Sequence, residues 1–534
     1  MSKIALFPGS FDPITDGHLK MAAEVIHMNL ADEVWITPCG SRPDKPSLKT
    51  TALNRYLMCQ LAVNNTFTGD FPVKVCAFEL GKPKAYPTVD LLQELDRKFP
   101  DLEIKFVVGS DLLESIPTWE RGGPNELPWY RTRQIIVISR PGATIPHEWA
   151  QGGNVSILNS VSAEGKVISV NVSSSEVRKR MTSMNGSMET LLFGQSTRRV
   201  EGLLPLPVSE HINKYMLLHD SKPAPHLRRS ESGSSNDGVL KNFSNVKLNN
   251  RTYNVTVERS KAPYSRRRVA VFGGVFDPIT DGHLKMAAEV LHANQADEVW
   301  LVPCGPRPDL PDLMTAPLDR FVMCHLAVHS TFSGNFPIKV SAIEIFERTA
   351  LTAPTLLRKF SELHPDRDFY FLIGSDLVKE VPLWAGDEDD KDWYKTQNFL
   401  LIPRPFYDVP ETWEKRENVV LLSSPLADGE VISTNSSSSE VRRRMALPSA
   451  GLGIPLSRRL EGLVPLSVIL HIIRYQLYTE SSRDLVLEIG EINEELMEDM
   501  AKRSLSSTTS PIIRTKADCE IPPQMELVGV SPQD

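Results

Sequence analysis

The 534-residue chain has little of what marks a secreted, membrane or nucleic-acid-binding protein. Cysteine is scarce, with six residues and no CxxC. Four of the six recur as pairs, Cys39 with Cys304 and Cys59 with Cys324. They read as reduced, buried, small apolar residues of a cytoplasmic protein, a nuclear one being also compatible. No cluster of Cys and His shows zinc-ligand spacing, so no metal-ligating residue is expected. No apolar run approaches the roughly 18 residues of a membrane helix. The amino-terminal MSKIALFPGS lacks the apolar stretch and cleavage site of a leader, so none is expected. Basic residues do not dominate: 59 Lys and Arg face 67 Asp and Glu, for a net charge of −8. Neither nucleic acid nor an anionic membrane is therefore an expected partner.

What the chain does have is one string twice. Residues 10–26 read SFDPITDGHLKMAAEVI and residues 275–291 read VFDPITDGHLKMAAEVL. His18 recurs as His283, Asp111 as Asp376, Trp119 as Trp384 and Arg178 as Arg442. The period far exceeds the roughly 20–50 residues of a solenoid unit. Two copies of one catalytic domain are expected, at 1–220 and 267–480. Between them, 221–266 reads as a linker rich in Ser, Pro, Gly and charge, with a strand-like alternation that suggests a small hairpin. An acidic tail follows at 481–534. Two copies on one chain allow an internal pseudo-dimer or a homo-oligomer.

Within the first copy, strands are expected at Ile4–Phe7, Glu33–Pro38, Val73–Phe78, Ile104–Val108 and Ile135–Ser139. Helices are expected at about Gly17–Asn29, Ala52–Asn64 and Val89–Phe99. The alternation of near-continuous apolar strands with helices predicts an α/β fold: two tandem Rossmann-like domains, each a mostly parallel sheet covered by helices on both faces.

Two segments carry chemistry. In the first, a strand runs into Gly9-Ser10-Phe11 and then Thr15-Asp16-Gly17-His18, repeated as Gly274, Phe276, Thr280, Gly282 and His283. A glycine loop opening a helix offers backbone N–H groups and a helix N-terminus to a phosphate. Thr15 adds a hydroxyl and His18 an imidazole donor. A plain turn would not demand a histidine. In the second, Ser173-Ser174-Ser175-Glu176-Val177-Arg178 recurs as Ser437–Arg442. Its first serine is an ordinary N-cap, and Glu176 sits where a capping box would place it. Ser174 and Arg178, with Ser438 and Arg442, would also make a second anion site.

These strings resemble the nucleotidyltransferase superfamily that carries (H/T)xGH and SS(S/T)xxR motifs. The remaining landmarks are similar to those of the nicotinate/nicotinamide mononucleotide adenylyltransferases: VVGSD at 107–111, Trp119, ISRPG at 138–142, TVDLL at 88–92, Lys45, and the ending LLPLPVSEHINKY. The resemblance covers about four-fifths of the chain. It implies transfer of AMP from ATP to the 5′-phosphate of a pyridine mononucleotide, with Mg²⁺ accompanying the ATP. It implies that His18, Arg178, His283 and Arg442 are catalytic. Gly109 and Asp111, with Gly374 and Asp376, would join the two motifs in binding ATP. Lys45, Thr88, Trp119, Arg140, Trp384 and Arg404 would meet the mononucleotide, the tryptophans by stacking on the pyridine ring. The string PITDGH is also similar to pantetheine-phosphate adenylyltransferase, which stays open as an alternative acceptor class. A tandem protein that binds nucleotide without turnover is a third reading.

The copies differ where the acceptor is expected. Val275 stands for Ser10, Leu310 for Lys45, Ala353 for Thr88 and Phe406 for Gly142. The second copy is expected to keep ATP binding and to have weaker or altered acceptor use. His27 and His292 lie deep in their helix and read as structural.

Overall fold

The computed structural model describes residues 1–45, 48, 50–82, 84–119, 128–140, 143–158, 173–182, 199–218, 242–248, 251–259, 266–310, 313, 315–386, 390, 392–404, 407–422, 437–446, 455–479 and 513–515. The Ser- and Pro-rich stretch at 221–240, Gly142, Phe406 and the acidic stretch of the tail lie outside them.

The first copy contains β1 (Ser2–Gly9), β2 (Glu33–Pro38), β3 (Val73–Val75), β4 (Leu102–Gly109), β5 (Ile135–Ile138) and β6 (Val155–Leu158). All pair in parallel, in the order β3-β2-β1-β4-β5-β6. Its longer helices are α1 (Asp16–His27), α2 (Ala52–Thr66), α3 (Thr88–Lys98), α4 (Ser174–Thr182) and α5 (Leu206–Lys214). A β-hairpin of β7 (Asn242–Leu248) and β8 (Arg251–Arg259) follows, with β15 (Ile513–Thr515) added antiparallel to β8. The second copy repeats the first: β9 (Arg267–Gly274), β10 (Glu298–Pro303), β11 (Ile338–Val340), β12 (Arg367–Gly374), β13 (Phe399–Ile402) and β14 (Val419–Leu421). Their order is β11-β10-β9-β12-β13-β14, again parallel. Its helices are α6 (Asp281–His292), α7 (Pro317–Thr331), α8 (Ala353–Leu363), α9 (Ser438–Met445) and α10 (Leu466–Arg474). These are two tandem Rossmann-like domains. Among the described residues no helix is long and apolar enough to cross a membrane.

Burial on both faces explains the apolar strands: Ile4, Ala5, Leu6 and Phe7 are all buried. The third strand is shorter than its apolar run. It stops at Val75, and Cys76 N–H then donates to Ile36 O at 2.8 Å as the chain turns away.

The largest departure from a plain two-layer domain is α2. Every residue from Ala52 to Asn64 is buried, which an ordinary surface helix would not allow. Its outer face is covered by the other copy. The apolar cluster around α2 is continuous with the one around α7, and includes Leu57, Leu61, Ile212, Val328, Leu326 and Ile472. Two smaller clusters stay local to the far face of each sheet.

The contact between copies is pseudo-symmetric. Arg474 at the end of α10 donates to Phe71 O at 2.9 Å and Val73 O at 2.7 Å, and also to Phe67 O and Thr68 O. Lys214 at the end of α5 donates to Phe336 O and Ile338 O, at 2.8 and 3.1 Å, in the opposite copy. Val75 N–H donates to the Tyr475 hydroxyl at 2.9 Å, and Val340 N–H to that of Tyr215 at 3.1 Å. Each copy thus lays its last helix along the other's α2 or α7.

Candidate active site

The sheet order reverses between β1 and β4, and open α/β sheets bind ligands at the carboxyl ends of strands at such a point. β1 ends at Gly9 and α1 starts at Asp16, so residues 10–15 line that crevice. Phe11 and Phe276 adopt φ of 45° and 49°, a left-handed conformation rare for bulky residues. Such strain costs about 1–3 kcal/mol and persists where the surroundings enforce it. The reason for Gly9 is visible here. A Cβ on it would lie 2.9 Å from the Phe11 ring, and one on Gly274 would lie 3.0 Å from the Phe276 ring. The missing side chain makes room first for the phenylalanine. That ring then meets the His18 imidazole edge-on, with centroids 5.1 Å apart.

Thr15 is the N-cap of α1. Its N–H donates to His18 Nδ1 at 3.0 Å, and its hydroxyl oxygen lies 2.8 Å from the same nitrogen. With Nδ1 accepting, the ring proton belongs on Nε2, which becomes the donor. Burial, helped by the Arg140 guanidinium, lowers the His18 pKa to about 3. The imidazole is therefore a neutral donor at physiological pH. His283 is held the same way by Thr280, with its pKa lowered to about 3 by burial and Arg404. At the helix start, Asp16 N–H donates to Leu203 O at 3.0 Å and His18 N–H to Thr15 O. Among the described residues Gly17 N–H keeps no partner, and so remains available to an anion.

The second motif is latched onto the first. Ser174 Oγ donates to Pro13 O at 2.8 Å and Arg178 Nη1 to Asp12 O at 2.6 Å. Ser438 and Arg442 make the matching bonds to Pro278 O and Asp277 O. One donor from each side chain is thus engaged in fixing the loop. Ser173 caps α4 by accepting from Glu176 N–H at 3.1 Å. The Glu176 carboxylate does not close a capping box; it pairs with Arg180 at 2.7 Å.

At the end of β4, Asp111 pairs with Arg140 at 3.0 Å, beside Gly109. A Cβ on Gly109 would press on Asp111 and lie 2.6 Å from Arg140 Nε. Both charged side chains stay partly open to solvent. Arg140 N–H is anchored by Ser110 Oγ at 2.9 Å. Thr88 opens α3 and Lys45 is exposed after β2. Trp119 ends the 3-10 helix that follows β4 and leans, half-buried, on the local core. Ser10, Thr15, His18, Ser174, Arg178, Asp111 and Arg140 therefore come together. Lys45 forms part of a separate turn with the Arg42–Asp44 ion pair.

A family profile described as cytidylyltransferase-like matches residues 6–180 and 271–444. The chain belongs to the cytidylyltransferase-like family. It is a nucleotidyltransferase. Similar proteins include a probable nicotinate-nucleotide adenylyltransferase of Halalkalibacterium halodurans, 30% identical over 235 residues, 43% of this chain and 100% of the relative. Another, from Shouchella clausii, is 33% identical over 183 residues, 34% of this chain and 85% of the relative. A solved structure of Plasmodium falciparum nicotinic acid mononucleotide adenylyltransferase complexed with NaAD is 24% identical, with a TM-score of 0.33, covering 41% of this chain and 98% of that one.

For a nucleotidyltransferase the supports beneath the motifs matter as much as the motifs, and sequence reading missed them. Buried Arg55 donates to Ser10 O at 2.9 Å and Gly40 O at 2.8 Å, tying the β1 and β2 loops together. Arg320 does the same with Val275 O and Gly305 O. The Glu79 carboxylate accepts from Gly40 N–H and Tyr86 N–H, and Thr50 donates to buried Asp12. A signal was available: an arginine recurring in the first turn of a largely apolar helix, Arg55 and Arg320, is unlike a solvated face.

The second copy retains the loop but loosens the rim. Arg404 stands 3.7 Å from Asp376 and also 3.7 Å from Met286 Sδ. Leu310 is exposed where Lys45 stands in the first copy, and Ala353 is buried at the Thr88 position. His27 and His292 pack edge-on against Phe71 and Phe336, as structural residues do.

Proposed function

We propose that the protein transfers AMP from ATP to the 5′-phosphate of nicotinate or nicotinamide mononucleotide, in the first copy above all. An oxygen of the mononucleotide phosphate attacks the α-phosphorus, the P–O bond to pyrophosphate breaks, and pyrophosphate leaves. A phosphate anion needs no general base, so catalysis lies in positioning and charge stabilisation. The observation that carries this reading is the fixed tautomer of His18. A neutral imidazole with its proton on Nε2 stands beside a free helix N–H and the latched Ser174–Arg178 pair. It can donate to a phosphate without first losing or gaining a proton. Asp111 and Arg140, at the end of β4, would orient ribose hydroxyls and the acceptor, with Trp119, Thr88 and Lys45 at the rim.

Mg²⁺ would enter with ATP and neutralise charge on the departing pyrophosphate. Asp111 is already paired with Arg140, and Asp12 is buried and bonded to Thr50. These residues fit an ion held by the nucleotide's own oxygens, with no dedicated protein cage. The similarity to nicotinate-nucleotide adenylyltransferases supports a pyridine acceptor over phosphopantetheine. Among the described residues the five cysteines are free and buried, which fits a cytoplasmic setting.

The test is pyrophosphate release from Mg-ATP by the full chain, His18→Ala and His283→Ala. Nicotinate mononucleotide, nicotinamide mononucleotide and phosphopantetheine are offered separately. Release with a pyridine mononucleotide, lost in His18→Ala, supports the reading. ATP binding with no release for any acceptor would overturn it in favour of a nucleotide sensor.

A further inference from the structure

The contact between copies is symmetric in backbone and asymmetric in chemistry. On one side, His211 of α5 faces His325 and His329 of α7. On the other, His471 of α10 faces Gln60 and Asn64 of α2 at the corresponding positions. The second group behaves as a hydrogen-bonded polar patch. Gln60 Nε2 donates to the Tyr56 and Tyr475 hydroxyls, and Asn64 Nδ2 donates to Gln60 and lies 3.5 Å from His471 Nδ1.

The first group is different. All three imidazoles are buried, and one ring nitrogen from each lies within 4.8 Å of the other two. His211 Nδ1 and His329 Nε2 are 3.2 Å apart. His325 Nδ1 and His329 Nδ1 have no hydrogen-bond partner among the described residues, a costly state for a buried polar atom. His211 is orientated from behind. Its Nε2 lies 3.2 Å from Asn54 Oδ1, and Asn54 Nδ2 donates to Thr51 Oγ1, which fixes Oδ1 as the atom facing the ring. Nε2–H therefore donates to Asn54, and Nδ1 faces the cluster as an acceptor, 3.2 Å from His329 Nε2. A carbonyl oxygen holding the far N–H of a histidine is how ligating imidazoles are usually set. His325 and His329 are one helical turn apart, so both rings project from one face of α7.

We propose that His211, His325 and His329 form a site for a divalent transition metal of the zinc class, joining the last helix of the first copy to the second. Three imidazole nitrogens suit Zn²⁺, Co²⁺, Ni²⁺ or Cu²⁺, and exclude the oxygen-seeking Mg²⁺ and Ca²⁺. One pair, His211 Nδ1 and His329 Nε2, already has the spacing that two nitrogens about 2.0 Å from one tetrahedral ion require, and binding draws the His325 ring towards them. The ligating form is the neutral imidazole. The site lies at the interface and is separate from the adenylyl-transfer machinery. No zinc spacing was expected from sequence, because the third ligand lies far along the chain from the pair on α7.

The full chain, produced in medium supplemented with Zn²⁺ or Co²⁺, tests this by metal analysis. About one ion per chain is expected, with three nitrogen scatterers near 2.0 Å at the metal edge. The double variant His325→Gln with His329→Asn copies the opposite side, Gln60 and Asn64, and should fold while retaining under about a tenth of the metal. Chelation should lower the melting temperature of the native chain and leave that of the variant unchanged. A native chain with no bound metal from either medium would overturn the proposal. So would metal retained undiminished by the variant. If the variant does not fold, the visible absorption of the Co²⁺-grown native chain decides: ligand-field bands support the site, and their absence overturns it.

Discussion

The two copies share a loop almost letter for letter and differ in what surrounds it. In the first, Arg140 closes on Asp111 at 3.0 Å; in the second, Arg404 stands off Asp376 at 3.7 Å and leans on a methionine. Thr15 and Thr280 fix their histidines identically, with the same 3.0 Å bond. The difference teaches that the loop and its rim vary separately here. The strained phenylalanine, the capping threonine and the arginine latch survive as one unit, while the rim changes around them.

The sharpest way to break that comparison is at the histidines. His18→Ala should reduce turnover of the pyridine mononucleotide by roughly 10²–10³-fold, the usual loss for one transition-state donor. His283→Ala should leave most of it. Equal losses, measured as kcat/KM for both acceptors, would show that both copies do the same work.

The interface offers the next comparison. Arg474 serves four carbonyls and Lys214 two. Arg474→Ala should cost on the order of 3–5 kcal/mol of stability, since it strands several buried acceptors. Lys214→Ala should cost about 2 kcal/mol. Urea denaturation of the full chain measures both, and the reverse order would mean that the number of carbonyls served does not set the strength.

Acidity offers a further comparison. His18 and His283 have pKa values lowered from 6.5 to about 3 by burial. The unfolded chain takes up their protons below about 6.5 and the folded chain does not, so stability should fall as pH drops from there towards 3 and be flat above. His18→Asn should flatten part of that slope in denaturation midpoints taken at successive pH values. A slope unchanged by both His18→Asn and His283→Asn would mean that other groups carry it. The smallest expected effect is at the rim. Leu310→Lys should raise acceptor use by the second copy less than about ten-fold, as a single exposed charge allows. It is best read in a His18→Ala background, where no change would remove Lys45 from the acceptor site.

Much of this was legible in the residues. Apolar strands alternating with helices announced parallel sheets, and the repeated TDGH and SSSEVR strings marked the two segments that the structure brings together in each copy. What stayed hidden depends on distant partners. Arg55 looks like a surface charge until Ser10 and Gly40 are seen around it. The polar residues of α2 and α7, among them Gln60, Asn64, His325 and His329, read as a wet face. They are buried because the other copy covers them, and nothing local announces that cover. By sequence Gly9 reads as an opening for an anion, and its nearest constraint is the Phe11 ring.

The continuous apolar cluster around α2 and α7 has a consequence for ancestry and for engineering. Neither copy has a finished exterior of its own, so a polypeptide cut between 219 and 241 should persist as an obligate heterodimer of two unlike fragments. In a homodimer any change at this contact would appear twice. Fusion into one chain lifts that constraint, and allows three histidines to gather on one side of the axis while amides remain on the other.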